Sequence, residues 1–161
     1  MLRLWLFGGW LLVAWLCSGV ACAHAAGAIS PSPVGQWVSA NHTIVLEIAP
    51  CGEELCGRIT GIVLAHAGDP MPMNWLGAPQ CGTTMLRVAP VTGGALWVGT
   101  LLDPRNGNVY QASIALNDSG QLLLHGYLGL PIFGLTQIWK PFTGHTLAGC
   151  ELPNNSLDGS G

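Results

Sequence analysis

The chain is written in short alternating runs. Thr43 to Ala49 places Ile44, Leu46 and Ile48 on one face and Thr43, Val45 and Glu47 on the other. That period of two predicts a half-buried β-strand. Leu55 to Leu64 behaves similarly, with Leu55, Ile59 and Val63 opposed to Arg58 and Thr60. Thr83 to Val88 and Leu96 to Leu102 add two more runs. Val109 to Leu116 sets Tyr110, Ala112, Ile114 and Leu116, as an inner face, against Gln111 and Ser113. Asn117-Asp118-Ser119-Gly120 is turn chemistry, after which Gln121 to Leu128 returns. Phe133 to Trp139 follows a break at Pro131, and Gln36 to Ser39 supplies a short first strand. Leu64 to Gln80 holds three Pro and two Gly and reads as a long loop between strands. About eight sequential antiparallel strands must protect their edges, and closure into a barrel does so completely. A two-sheet sandwich is the alternative. An eight-stranded barrel is just wide enough to be filled by side chains or to hold one small ligand.

The first segment has a different pattern. Arg3 precedes an apolar run from Leu4 to Cys17, and small residues follow to Gly27. Fourteen residues are short for a bilayer span, which needs about 20. The positive start, apolar middle and small-residue end predict a cleaved signal peptide over 1–23. Ala21-Cys22-Ala23 and Ala23-His24-Ala25 offer cleavage sites within 21–27. Residues 24–33 form a linker, 34–142 the barrel domain, and 143–161 a Gly/Asn/Ser-rich tail, tethered at Cys150 and otherwise flexible. No later run reaches membrane length, so the mature chain is expected to be soluble and either periplasmic or secreted.

Composition sharpens this picture. Only 8% of the 161 residues are charged, against roughly 25% in average chains. Loss of Arg3 with the leader leaves four bases against eight acids, so the formal charge moves from −3 to −4. Such a chain lacks the clustered basic face of a nucleic-acid binder. The 23 Gly and 11 Pro favour many turns. Cys51, Cys56, Cys81 and Cys150 remain after cleavage. An even count in an exported chain reads as two disulfides with three possible connectivities. Cys51 and Cys56 enclose Gly-Glu-Glu-Leu between two apolar stretches and can face each other across a hairpin. Cys81 with Cys150 is then the favoured second bridge. The C-x4-C spacing has no second half to complete a metal site.

Three stretches together resemble the bacterial exported family known as domain of unknown function 2147. Trp97-Val98-Gly99-Thr100-Leu101-Leu102-Asp103-Pro104 continues through Gly107 to Tyr110. Gly126-Tyr127-Leu128-Gly129 leads to Phe133-Gly134 and Trp139-Lys140. Gly35-Gln36-Trp37 stands near the mature start, with Leu55-Cys56-Gly57 and Cys81-Gly82 between. The resemblance spans about residues 34–142 and implies a lipocalin-like barrel. It brings no established activity. Where the family carries an Asp…Asn-Pro pattern after the second long strand, Asp69 and Asn74 stand here without the Asn-Pro pair.

The shared residues also have structural uses. Asp103-Pro104-Arg105-Asn106-Gly107 is a turn sequence, and Gly126 and Gly129 suit bends or a bulge. Trp37 and Trp139-Lys140 suit a barrel closed by its first and last strands. The chain has no G-x-S-x-G, H-E-x-x-H, P-loop or strand-linked G-x-G-x-x-G. His42, His66, His125 and His145 lack metal-ligand spacing. The sequence therefore predicts no enzyme, no metal and no cofactor; a hydrolase would need His66 or His125 beside a carboxylate in a cleft. The expected function is binding of a small, mainly apolar ligand inside the barrel. Trp37, Trp97, Tyr110, His125, Tyr127 and Trp139 are the candidate ligand contacts. The alternative is a protein-interaction or inhibitor module of the cell envelope. It would act through the 65–80 loop, where Met71, Met73 and Trp75 could adapt to a partner.

Overall fold

Eight antiparallel strands follow one another around a closed barrel, with each joined to the next in sequence. The computed structural model describes residues 32–66, 68–147 and 149–152. The predicted leader, nearly all of the linker, and residues 153–161 lie outside that range. The strands are β1 (Gly35–Val38), β2 (Ile44–Cys51), β3 (Glu54–Val63), β4 (Thr84–Pro90), β5 (Leu96–Leu102), β6 (Val109–Leu116), β7 (Leu122–Tyr127) and β8 (Leu135–Pro141). Trp37↔Pro141 and Val38↔Lys140 pair β1 with β8 and close the ring. The barrel, rather than the sandwich, is therefore the fold, and no strand of the meander is left wholly without a neighbour.

Alternation decides what fills the interior. Leu46, Ile48, Leu55, Ile59, Leu86, Val88, Ala112, Ile114, Leu122 and Leu124 point inward and are buried, with Trp37 and Trp139 among them. Each such Leu, Ile or Val side chain contributes about 1.5–3 kcal/mol on burial. The β6 face follows its pattern: Ala112 and Ile114 are buried and Tyr110 sits on the same side. Gly99 faces Val88 at one cross-strand position. A Cβ there would run into the Arg87 carbonyl oxygen, so glycine is what lets β4 and β5 approach.

One departure from simple alternation shapes the outer wall. Leu46 pairs with Ile59 but Val45 pairs with Gly61, leaving Thr60 as a bulge residue on β3. Beyond the bulge the faces exchange. Ile62 and Leu64 enter the core, and Val63, expected on the inner face, packs with Val38 and Val45 in a second cluster outside the barrel.

A ninth strand covers that outer cluster. β9 (Glu151–Leu152) lies parallel to the end of β3, with Ile62↔Glu151 and Val63↔Leu152. Leu152 is buried against Val38 and Val45. A side chain on Gly61 would collide with it, the nearest approach being 2.6 Å to Leu152 Cδ1. The tail, expected to be flexible beyond Cys150, is instead a paired strand over these two residues. Gly149 and Cys150 take left-handed conformations, with φ of 85° and 65°, and turn the chain onto β3. Both expected bridges are formed, Cys51–Cys56 at the β2–β3 hairpin and Cys81–Cys150 holding the tail.

Candidate functional site

The two ends of the barrel differ. At one end Trp37 donates from Nε1 to the Pro33 carbonyl at 2.8 Å, and Pro33 is itself fully buried. Below it Ile48, Leu55, Val88, Ile114 and Leu122 fill the lumen, with Trp97 and Leu116 packed against them. That half is solid. The other half is not: a cavity of about 630 Å³ opens at the end where β1 turns into β2, β5 into β6 and β7 into β8.

Each wall of the cavity follows from local sequence. Ile44, Ile59, Ile62, Met85, Leu101 and Leu124 supply aliphatic lining, and Trp139 also borders it. Trp139 is held by donation from its Nε1 to Gln137 Oε1 at 3.1 Å. Gly126, an inward position of β7, carries no side chain where its neighbour Leu124 fills space. The rim is polar, with Asn41, Thr43, Gln80, Tyr110 and Gln137. Among these, Asn41 accepts from the Ser39 and Thr43 hydroxyls at 2.8 Å, and Gln80 Nε2 donates to the Met73 carbonyl.

The Asp103 turn supplies the charge at the rim. Asp103 Oδ1 accepts from the Arg105 backbone N–H at 2.9 Å and from Arg105 Nε at 3.0 Å. Oδ2 accepts from Arg105 Nη2 at 2.8 Å. This bidentate pairing holds the Asp103 carboxyl below the usual carboxylate value, against a smaller opposing effect of burial. The same contact raises Arg105 further. The two charges pair with each other, and among the described residues that line the mouth no other is charged.

The long loop lies across part of this opening. Met71 packs against the core and Pro72 lines the cavity. Trp75 N–H donates to the Pro104 carbonyl at 3.0 Å, and its indole lies so close to Gly107 that a Cβ there would approach it to 2.8 Å. Gly107 also needs its φ of 78°. Asn74 Oδ1 accepts from the N–H groups of Leu76 and Ala78, so it organises the loop without the family's Asn-Pro pair. Met73 and Leu76 remain exposed.

The candidate ligand contacts divide. Tyr110 and Trp139 border the cavity. Trp37 belongs to the closed half, and Trp97 packs against the core below the cavity. His125 and Tyr127 are corrected outright. Leu122 and Leu124 take the inner positions of β7, so residues 123, 125 and 127 face outward. There the His125 and Tyr127 rings lie 5.5 Å apart. His125 Nδ1 sits 2.8 Å from Thr136 Oγ1, and its Nε2 donates to the Pro131 carbonyl at 2.9 Å. His66 does meet a carboxylate, Asp69, at 3.2 Å, but three residues away on the open surface with its side chain 85% exposed. Among the described residues no three His, Cys, Asp or Glu gather as metal ligands would, and no helix is long and apolar enough to cross a membrane. The lining residues that sequence reasoning missed, Ile44, Ile62, Met85 and Gln80, carry no signal that separates them from core or loop positions.

A small closed meander, solid at one end and hollow at the other, is the architecture of a lipocalin-like barrel. The chain belongs to the family of uncharacterised proteins conserved in bacteria designated DUF2147, whose model matches residues 35–141. No curated protein matches the sequence. Among solved structures it is similar to protein HP1028 of Helicobacter pylori, which is described as belonging to the lipocalin family. That likeness has a TM-score of 0.56 at 14% identity, covering 70% of this chain and 84% of the other. It shows the shared fold. Paired cysteines of this kind are compatible with a periplasmic or secreted location.

Proposed function

We propose that this chain is an exported, non-catalytic binding protein that takes a small, mainly apolar ligand into the open half of its barrel. The observation that carries the reading is the 630 Å³ cavity set on a solid floor. Ligand sites commonly occupy about 300–1,000 Å³, with apolar walls and a few polar groups that orient the guest. Here the walls are Ile, Leu, Met and Trp, and the rim offers amides and a phenol while Arg105 is neutralised by Asp103. The chemistry suits a hydrocarbon or ring body with an uncharged polar head. Export is supported by the leader pattern of residues 1–23 and by the two disulfides, which persist in oxidising compartments.

The test begins with protein purified from an exporting bacterial host and examined by native mass spectrometry, before and after organic extraction. A discrete extractable mass of a few hundred daltons is expected. The matching variant is Gly126→Phe. Its backbone is not in a strained region, and a Cβ there meets only Leu101 Cδ2 at an ordinary 3.6 Å, so the ring enters the cavity rather than the fold. It should abolish retention of the extractable mass and uptake of a dansyl-labelled fatty acid while leaving the melting temperature near wild type. Unchanged uptake would sink the assignment of the cavity.

A second reading, an envelope interaction module acting through the 65–80 loop, draws support from exposed Met73 and Leu76. The docking of Met71 and Pro72 at the mouth favours a lid instead. Replacing Met73 and Leu76 together with Ser should leave ligand uptake intact.

A further inference from the structure

The β7–β8 connection is an apolar loop that the barrel does not bury. Leu128, Leu130, Ile132, Phe133 and Leu135 are all exposed, Ile132 at 81% and Phe133 at 76%. Soluble chains seldom show such a contiguous patch without a use for it. The loop is built to present these side chains outward. A 3-10 turn over Pro131–Phe133 is closed by Phe133 N–H donating to the Leu130 carbonyl and Gly134 N–H to the Pro131 carbonyl. His125 fastens the Pro131 carbonyl from the barrel wall. Gly134 lies against the His125 ring, leaving no room for a Cβ.

We propose that this loop seats the open end of the barrel on a lipid bilayer, so that an apolar ligand passes between membrane and cavity without crossing water. The inference rests on the ligand-binding reading above. One observation points to a bilayer: Gly126 and Leu135, at the two ends of the connection, both line the cavity, so the apolar loop and the apolar lumen are continuous.

No charged residue occurs between Gln121 and Trp139. Seating is therefore by apolar insertion, which scales with buried area, rather than by attraction to anionic lipid.

The experiment uses the chain as exported and processed by a bacterial host, its amino terminus fixed by mass spectrometry, with zwitterionic phosphatidylcholine vesicles. Wild type should co-sediment with the vesicles, and raising the salt should not release it. Ile132→Ser with Phe133→Ser, both at exposed positions, should lower the partition coefficient more than about ten-fold. The same double variant should still take up a dansyl-labelled fatty acid in vesicle-free solution, and Gly126→Phe should do the opposite. Wild type left in the supernatant, or a double variant that binds vesicles equally, overturns the proposal. So does a vesicle-free dimer that the double variant dissolves, since the loop would then be an interface between copies. Vesicle binding with no uptake by any form would keep the seating and sink the ligand reading instead.

Discussion

Cutting the Cys81–Cys150 bridge should destabilise the fold more than cutting Cys51–Cys56, and the sizes follow from chain length. The first bridge spans a sequence separation of 69 and the second only 5. On the loop-entropy account, constraining the unfolded chain stabilises by about 4 kcal/mol in the long case and about 2 kcal/mol in the short one. Cys81→Ala with Cys150→Ala is the proper perturbation, because Cys150 is buried and a serine there would bury a hydroxyl. In a domain of this size about 4 kcal/mol corresponds to a fall of roughly 15 °C in Tm. The short pair should fall by about half as much. Thermal unfolding of the two double variants, followed by circular dichroism, reads the order directly. Leu152→Ala separates the contribution of the tail's packing, which should cost about 3 kcal/mol with both bridges intact. Equal Tm losses for the two disulfide variants, or the reverse order, would refute the reasoning.

Gly99→Ala should fail to accumulate or lose more than about 3 kcal/mol, since its methyl meets the Arg87 carbonyl rather than a movable side chain; denaturant unfolding measures it. Gly107→Ala should strain a backbone at φ 78° and push the Trp75 indole off the turn. The expected readout is a red-shifted Trp emission that Trp75→Phe abolishes. Asp103 carries a depressed pKa in the fold, so its stabilisation is present above the ordinary unfolded value of about 3.9 and is lost as pH falls through the lower folded value. Asp103→Asn should flatten that acid limb in a Tm-versus-pH series. Because Arg105 is largely exposed, the difference at neutral pH should stay within about 1 kcal/mol.

The strand order was legible because period-two patterning is a direct statement about which side chains meet water. Val109 to Leu116 is the clearest instance. Patterning failed where both faces are apolar. Leu122-Leu123-Leu124 carries no contrast, so nothing local reveals that His125 points out and Leu124 in; the cross-strand partners on β6 and β8 decide it. It failed again at Thr60, where one extra residue exchanges the faces of β3, because a bulge is a property of two strands. The β9 pairing is longer-range still: Leu152 has no sequence neighbour that explains its burial, and only Gly61, more than ninety positions earlier, makes room for it. The cavity depends on which half of the barrel is filled, and Ile59 and Ile48 are indistinguishable in that respect from sequence alone.

The end of β3 has a consequence for how the chain behaves before its disulfides form. β4 pairs with β3 only over Leu55–Arg58; beyond it β9 runs beside Ile62 and Val63, and the Ile62 N–H donates to the Cys150 carbonyl at the start of that strand. In a reduced chain, two residues of parallel strand and one leucine would be all that keeps this stretch of backbone donors and acceptors from an intermolecular visitor. An open edge beside Val38 and Val45 is a template for strand addition and aggregation. Oxidation of Cys150 thus does more than stiffen the barrel: it shutters an edge that β4 leaves bare. A molecule kept in a reducing compartment would be selected against by its own stickiness, which gives the placement of that cysteine a meaning independent of any ligand.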